Sequence, residues 1–173
     1  MRSQVNLEGV IEVDDEVLGT LVRHCPALQH VNIARCIKVT DAGLSSAATQ
    51  LPRLSLLDCS DIGKLSDALL EALAASCGAL TDFRARKCPR LTDQGMALLA
   101  SRGPRLRSLA ITSNDLIGPM FANALAQGCK DCLEDLDVGF CRYLDLYPCC
   151  PCAFLAREPC VTGALLSDRC AGS

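Results

Sequence analysis

The chain has 173 residues, half of them apolar, a formal charge of −3 and no Trp, which is enough apolar material for one domain with a substantial core. No long run of one charge sign is present, and two Tyr with four Phe offer few platforms on which bases could stack. These features speak against a nucleic-acid binder and against a membrane-surface protein.

The opening stretch, residues 1 to 18, carries Glu8, Glu12, Asp14, Asp15 and Glu16 and no apolar run of leader type. The longest helix-like apolar stretch, residues 68 to 80, is interrupted by Glu71 and is far shorter than the roughly 20 residues that span a bilayer. A soluble cytoplasmic protein is expected, with the nucleus as the alternative.

In chain order, a weak half repeat comes first, made by Val5, Leu7, Val10, Val13, Leu18 and Leu21. Four segments then open at Cys25, Leu51, Cys77 and Gly103, spaced 26 residues apart without a gap. Their columns align Leu28 with Leu54, Leu80 and Leu106, and Val31 with Leu57, Phe83 and Leu109. Next come Ile33, Cys59, Ala85 and Ile111, then Cys36, Ile62, Cys88 and Asn114, then Val39, Leu65, Leu91 and Ile117. Asn114 is the one polar residue in those columns. A fifth, partial repeat follows a one-residue insertion, with Leu133, Leu136, Val138, Cys141 and Leu144.

Apolar residues two apart, as in Val31-Asn32-Ile33, predict a short strand with one face inward. Thr40-Asp41, Ser66-Asp67 and Thr92-Asp93 then predict helix starts, the hydroxyl capping free amides and the acid sitting at the positive end of the helix dipole. Pro26, Pro52, Gly78 and the Gly103-Pro104 pair mark where each helix stops. Each period is therefore strand, turn and helix, and such units stack to share a core that none can bury alone.

The pattern L-x-x-L-x-L-x-x-C followed by a T-D-x-G-L-like turn resembles the cysteine-containing leucine-rich repeats found in F-box substrate receptors of ubiquitin ligases. Residues 80 to 99 fit it closely. The resemblance implies an α/β solenoid of horseshoe form, with a parallel sheet on the concave side and helices on the convex side. Residues 1–144 form the repeat domain on this reading, and 145–173 a Cys/Pro-rich irregular tail. It also implies a protein-interaction module without catalysis or cofactor, used for substrate recognition in or near an SCF-type ligase. No F-box stands ahead of the half repeat that opens at Met1, so contact with ligase subunits stays an open expectation. Repeat proteins of the antagonist-of-mitotic-exit type match equally well. A scaffold role, as in a cytoskeletal assembly, is the alternative. An enzyme using a thiol or zinc in the tail is the remote one, since no nucleophile and base, metal motif or phosphate loop converges.

Most of the cysteines inside the repeats stand where Leu or Ile stands in other repeats, so they are expected to be buried, reduced and packed as small apolar side chains. Cys25, Cys77 and Cys129 share one such column, and Cys36, Cys88 and Cys141 another. Cys129-x-x-Cys132 has the spacing of half a zinc site or of a redox pair, but Cys129 lies in the repeat column. His24 is expected to cap a helix end. In the tail, Cys149, Cys150, Cys152, Cys160 and Cys170 have irregular spacing, compatible with a loose tail, a thiol-rich or zinc-clipped cap, or an alternative end of a longer repeat protein.

The residues between the core positions are the candidates for binding a protein partner. They are His30, Asn32 and Arg35, then Leu56, Asp58 and Asp61, then Asp82, Arg84, Arg86 and Lys87. Ser108, Thr112 and Ser113 follow, and finally Asp135, Asp137 and Phe140. Arg84, Arg86 and Lys87 read as a basic centre between Asp58 and Asp61 on one side and Asp135 and Asp137 on the other.

Overall fold

The computed structural model describes residues 3–102, 105–129 and 131–145. Strands and helices alternate along the chain: β1 (Gln4–Asn6), α1 (Asp15–His24), β2 (His30–Asn32), α2 (Asp41–Gln50), β3 (Leu56–Asp58) and α3 (Asp67–Ser76). β4 (Asp82–Arg84), α4 (Asp93–Arg102), β5 (Ser108–Ala110), α5 (Pro119–Gly128), β6 (Asp135–Asp137) and α6 (Arg142–Asp145) complete it. The strands form one parallel sheet in sequence order, and each helix packs on the next. Five of the connections repeat the 26-residue register or, between β5 and β6, the register lengthened by the one inserted residue. The tail expected over 145–173 lies, from residue 146 on, outside the described residues.

Neighbouring strands sit about 4.8 Å apart whereas packed helices need about 8–10 Å. Stacking both in one array therefore curves it, the sheet taking the shorter, concave side and the helices the convex side.

The core runs the length of the array as the columns predict. Val31, Leu57, Phe83 and Leu109 point inward from the strands and are almost fully buried, as are Leu28, Leu54, Leu80 and Leu106. At the last strand Leu133, Leu136 and Val138 are only half-buried, because among the described residues no further strand and helix pack over them.

The Cys column does more than fill space. The Cys36 thiol donates to the Leu7 carbonyl at 3.1 Å, Cys88 to Cys59 at 3.5 Å and Cys141 to Ile111 at 3.2 Å, each one rung back. These side chains tie rungs together by hydrogen bonding as well as by packing, which is more than the apolar role expected of them. Asn114 takes the same position in the fifth rung and is fully buried. Its Nδ2 donates to Ala85 at 2.7 Å and Ile111 at 2.8 Å, and its Oδ1 accepts the Cys88 amide at 2.7 Å. The one polar residue in the columns is thus saturated, as a buried carboxamide must be.

Burial pushes the thiols of Cys77 and Cys88 up to about 11, that of Cys59 well above its ordinary value, and those of Cys36 and Cys129 upward in the same direction. Cys25 departs from the expectation. It is exposed although Cys77 and Cys129 of its column are buried, because among the described residues no rung packs outside α1. Cys132 is half-buried.

At the helix starts the structure corrects the expected capping. Thr40 and Thr92 do accept from Gly43 and Gly95 amides, both at 3.4 Å, but Ser66 makes no cap bond to its own helix. The hydroxyls serve mainly as donors to the aspartate one rung back. Asp15 receives the amide and hydroxyl of Thr40, Asp41 those of Ser66, and Asp67 those of Thr92. Asp93 receives the amides of Met120 and Phe121. A line of carboxylates therefore staples each helix N-terminus to the next, where amide charge is positive.

The glycine of the T-D-x-G turn leaves room for the aspartate that reaches in from the rung before. A Cβ at Gly95 would lie 2.3 Å from the Asp67 carboxyl carbon. In the third rung Leu69 takes the glycine's place, and there the Ser66 cap bond is missing.

Candidate functional site

The sheet presents its free face as rows that run across the rungs. One row is Gln4, His30, Leu56, Asp82, Ser108 and Asp135, and the next is Asn6, Asn32, Asp58, Arg84, Ala110 and Asp137. Interstrand bonds continue past the strands, Ile33 to Asp58, Cys59 to Arg84, Ala85 to Ala110 and Ile111 to Asp137. They bring Arg86 and Thr112 into a third row two residues on. Of the expected site residues, His30, Asn32, Asp58, Asp82, Arg84, Arg86, Thr112, Asp135 and Asp137 stand in these rows.

Arg35, Asp61, Lys87 and Phe140 stand elsewhere. With Ser113 they form a separate column at the turn after the strand, each with a φ between 53° and 63°. Left-handed backbone at a residue with a Cβ is uncommon. It recurs here because each turn must swing the chain from the sheet to the helix layer while its amide bonds the next rung, as Arg35 does to Ser60 and Lys87 to Thr112. These side chains line the rim of the face. Phe140 is 76% exposed, the most exposed large apolar side chain among the described residues.

Several of the row residues also serve the fold. Asn32 and Asp58 accept the amides two residues on, from Ala34 at 3.0 Å and Ser60 at 3.1 Å, and so shape the turn. Asp82 accepts the Thr81 hydroxyl at 2.7 Å and Asp135 the Ser108 hydroxyl at 3.1 Å.

The expected basic centre is mostly neutralised from within. Lys87 lies 3.8 Å from Asp61, which also meets Arg35 at 3.9 Å, and Arg35 meets Glu8 at 3.7 Å. Arg86 reaches past the fifth rung to Asp137 at 3.2 Å. Exposed pairs of this kind are worth only about 0–1 kcal/mol, so they orient charges more than they stabilise the fold. Arg84, half-buried in the middle of the face, makes no ion pair among the described residues.

Shallow depressions mark the face among the described residues. One, of about 510 Å³, lies over the first rungs between Gln4, Val5, Asn6, His30, Asn32 and Leu56. Another, of about 250 Å³, lies at the start of the last strands and includes the ion pair between Arg107 and Glu134. That pair was not among the expected site residues, since both stand just before the strands and outside the repeat columns used to choose candidates. His24 donates from Nδ1 to the Thr20 carbonyl at 2.8 Å, at the end of α1. Among the described residues no group of three or more His, Cys, Asp or Glu is placed to hold a metal ion, and no helix is long and apolar enough to cross a membrane.

A chain in the crystal structure of the Rad7 and Elc1 complex in yeast is similar to this one, with a TM-score of 0.68 and 26% sequence identity. The chain is a leucine-rich-repeat solenoid in fold. The similarity covers 76% of this chain but 34% of the yeast one, so the solenoid described spans about a third of that neighbour's length. No protein-family model and no curated protein sequence matches the chain.

Proposed function

We propose that the chain is a non-catalytic protein-binding module whose partner lies across the sheet face. The observation that carries this reading is the face itself. Six rungs hold rows of half-exposed polar and charged side chains in register, and no other described element packs over them. A partner that spans several rungs gains from every one of them, which is the use to which stacked repeats are suited. The solved neighbour comes from a complex of two proteins, which supports a protein partner.

The finer reading is substrate recognition in or near an SCF-type ubiquitin ligase. It is supported by the likeness of the repeats to those of F-box receptors, and it names the experiment. Affinity purification of the full chain from cells, followed by mass spectrometry, should recover ligase subunits together with a substrate. Recovery of a reproducible partner without any ligase subunit would refute the ligase link and leave the binding module. Loss of that partner on reversing Arg84, Arg86 and Lys87 to Glu would tie it to the sheet face.

A further inference from the structure

We propose that Arg84 receives a carboxylate of the partner segment, and that this acidic residue is flanked in the partner by basic ones that engage Asp58 and Asp82. The proposal rests on the reading that the sheet face is the protein-binding site. It follows from which charges of that face are already committed. Arg35, Lys87 and Arg86 are engaged by Glu8, Asp61 and Asp137, so the rim of the face is internally compensated.

Arg84 is the cation left over. It stands on β4 at the middle of the sheet, with Asp58 beside it on β3 and Ala110 beside it on β5. Ala110 is small and apolar, so on that flank the neighbouring residue offers the guanidinium no acceptor of its own. A half-buried guanidinium offers a planar fork of donors, and a carboxylate fits that fork with two parallel bonds.

The acids around it define what flanks that carboxylate. Asp58 uses Oδ1 on the Ser60 amide and Asp82 uses Oδ2 on the Thr81 hydroxyl, so each keeps a second oxygen. Asp58 lies on the neighbouring strand, about 4.8 Å away at the backbone, and Asp82 lies two residues before Arg84 on the same strand, where side chains share a face. An isolated acid would meet their repulsion, whereas an acid between Lys or Arg residues meets complementary charge on both sides. The same repulsion disfavours a phosphate, whose charge of about −1.5 to −2 is larger than one guanidinium offsets.

The test uses the full chain and a displayed library of random extended peptides. Selected binders should share an Asp or Glu between Lys or Arg residues, and a synthetic binder should lose roughly tenfold or more in affinity for R84E. R86Q should change it by no more than about threefold, because Arg86 already has Asp137. A peptide with that acid changed to Lys should bind R84E better than it binds the natural chain. Melting curves of R84E establish that it is folded, and R84Q gives the same reading without an added acid. Binders that lack the acidic residue, or that ignore Arg84 but are lost on L56E or D137K, overturn this chemistry and leave the face as the site. Binders indifferent to every face substitution, or a library that yields none, overturn both.

Discussion

Asn114 offers the sharpest test of how the rungs are joined. Replacing it with Leu keeps the number and branching of heavy atoms and removes three hydrogen bonds at a position with no exposure. Ile111 keeps the Cys141 thiol as a donor at 3.2 Å. The Cys88 amide and the Ala85 carbonyl lose the partners described above. Each orphaned buried group costs about 1–3 kcal/mol, and the apolar gain of a buried Leu, at most about 2 kcal/mol here, offsets part of that. The net expectation is a loss of about 2–4 kcal/mol, a large share of the roughly 5–15 kcal/mol that holds a domain folded. Asn114→Cys restores the column's usual donor and should cost about half as much. Urea unfolding followed by circular dichroism measures both, and hydrogen exchange at the Cys88 amide reports the local change. A Leu variant as stable as the natural protein, or a Cys variant worse than Leu, would refute the argument that the column works by hydrogen bonding.

Other consequences can be checked on the same material. Asp67→Ala removes a charged acceptor from the Thr92 amide and hydroxyl and should cost about 2 kcal/mol, while Asp67→Asn, which keeps a neutral acceptor, should cost less; an Asn variant as stable as the natural chain would show that charge does not matter to the staple. The Cys77 and Cys88 thiols titrate near 11 when folded but near 8.5 when unfolded, so the stability they confer is complete below about pH 8.5 and is lost as pH rises toward 11. The melting temperature should fall through that window, with a shallower slope in Cys77→Ala; a flat profile would contradict the burial. Maleimide labelling of the native chain, mapped by peptide mass spectrometry, should, among the cysteines of the described residues, modify Cys25 first and Cys132 more slowly, and leave Cys59, Cys77 and Cys88 unmodified until the chain unfolds.

Most of the fold is readable in the sequence because stacking forces like positions to repeat. Leu28, Leu54, Leu80 and Leu106 announce one inward column, and the insertion before Leu133 shows where the register lengthens. Less readable is what each repeated side chain bonds to, since those partners lie one rung away. The aspartates after Thr40, Ser66 and Thr92 suggest a dipole effect within one helix, and only the packed array shows that they reach the next. The recurrence of Asp15, Asp41, Asp67 and Asp93 at a constant spacing was the available signal. Arg35, Asp61, Lys87 and Phe140 lie between core positions but three residues past the last outward strand residue, off the two-residue alternation, and only the structure shows that the turn there enters left-handed backbone. The compensation of Arg86 by Asp137 joins residues 51 apart across an intervening strand, which no local pattern encodes.

The central claim is that the sheet face, not the helix face, binds the partner. Quantitative capture of the partner identified by affinity purification should be compared for the natural chain, for R84E/R86E/K87E on the sheet side and for E71K/Q94K on the exposed helix side, each verified as folded. Capture lost in the sheet variant and retained in the helix variant is the predicted result; capture retained in the sheet variant, or lost in the helix variant, contradicts it.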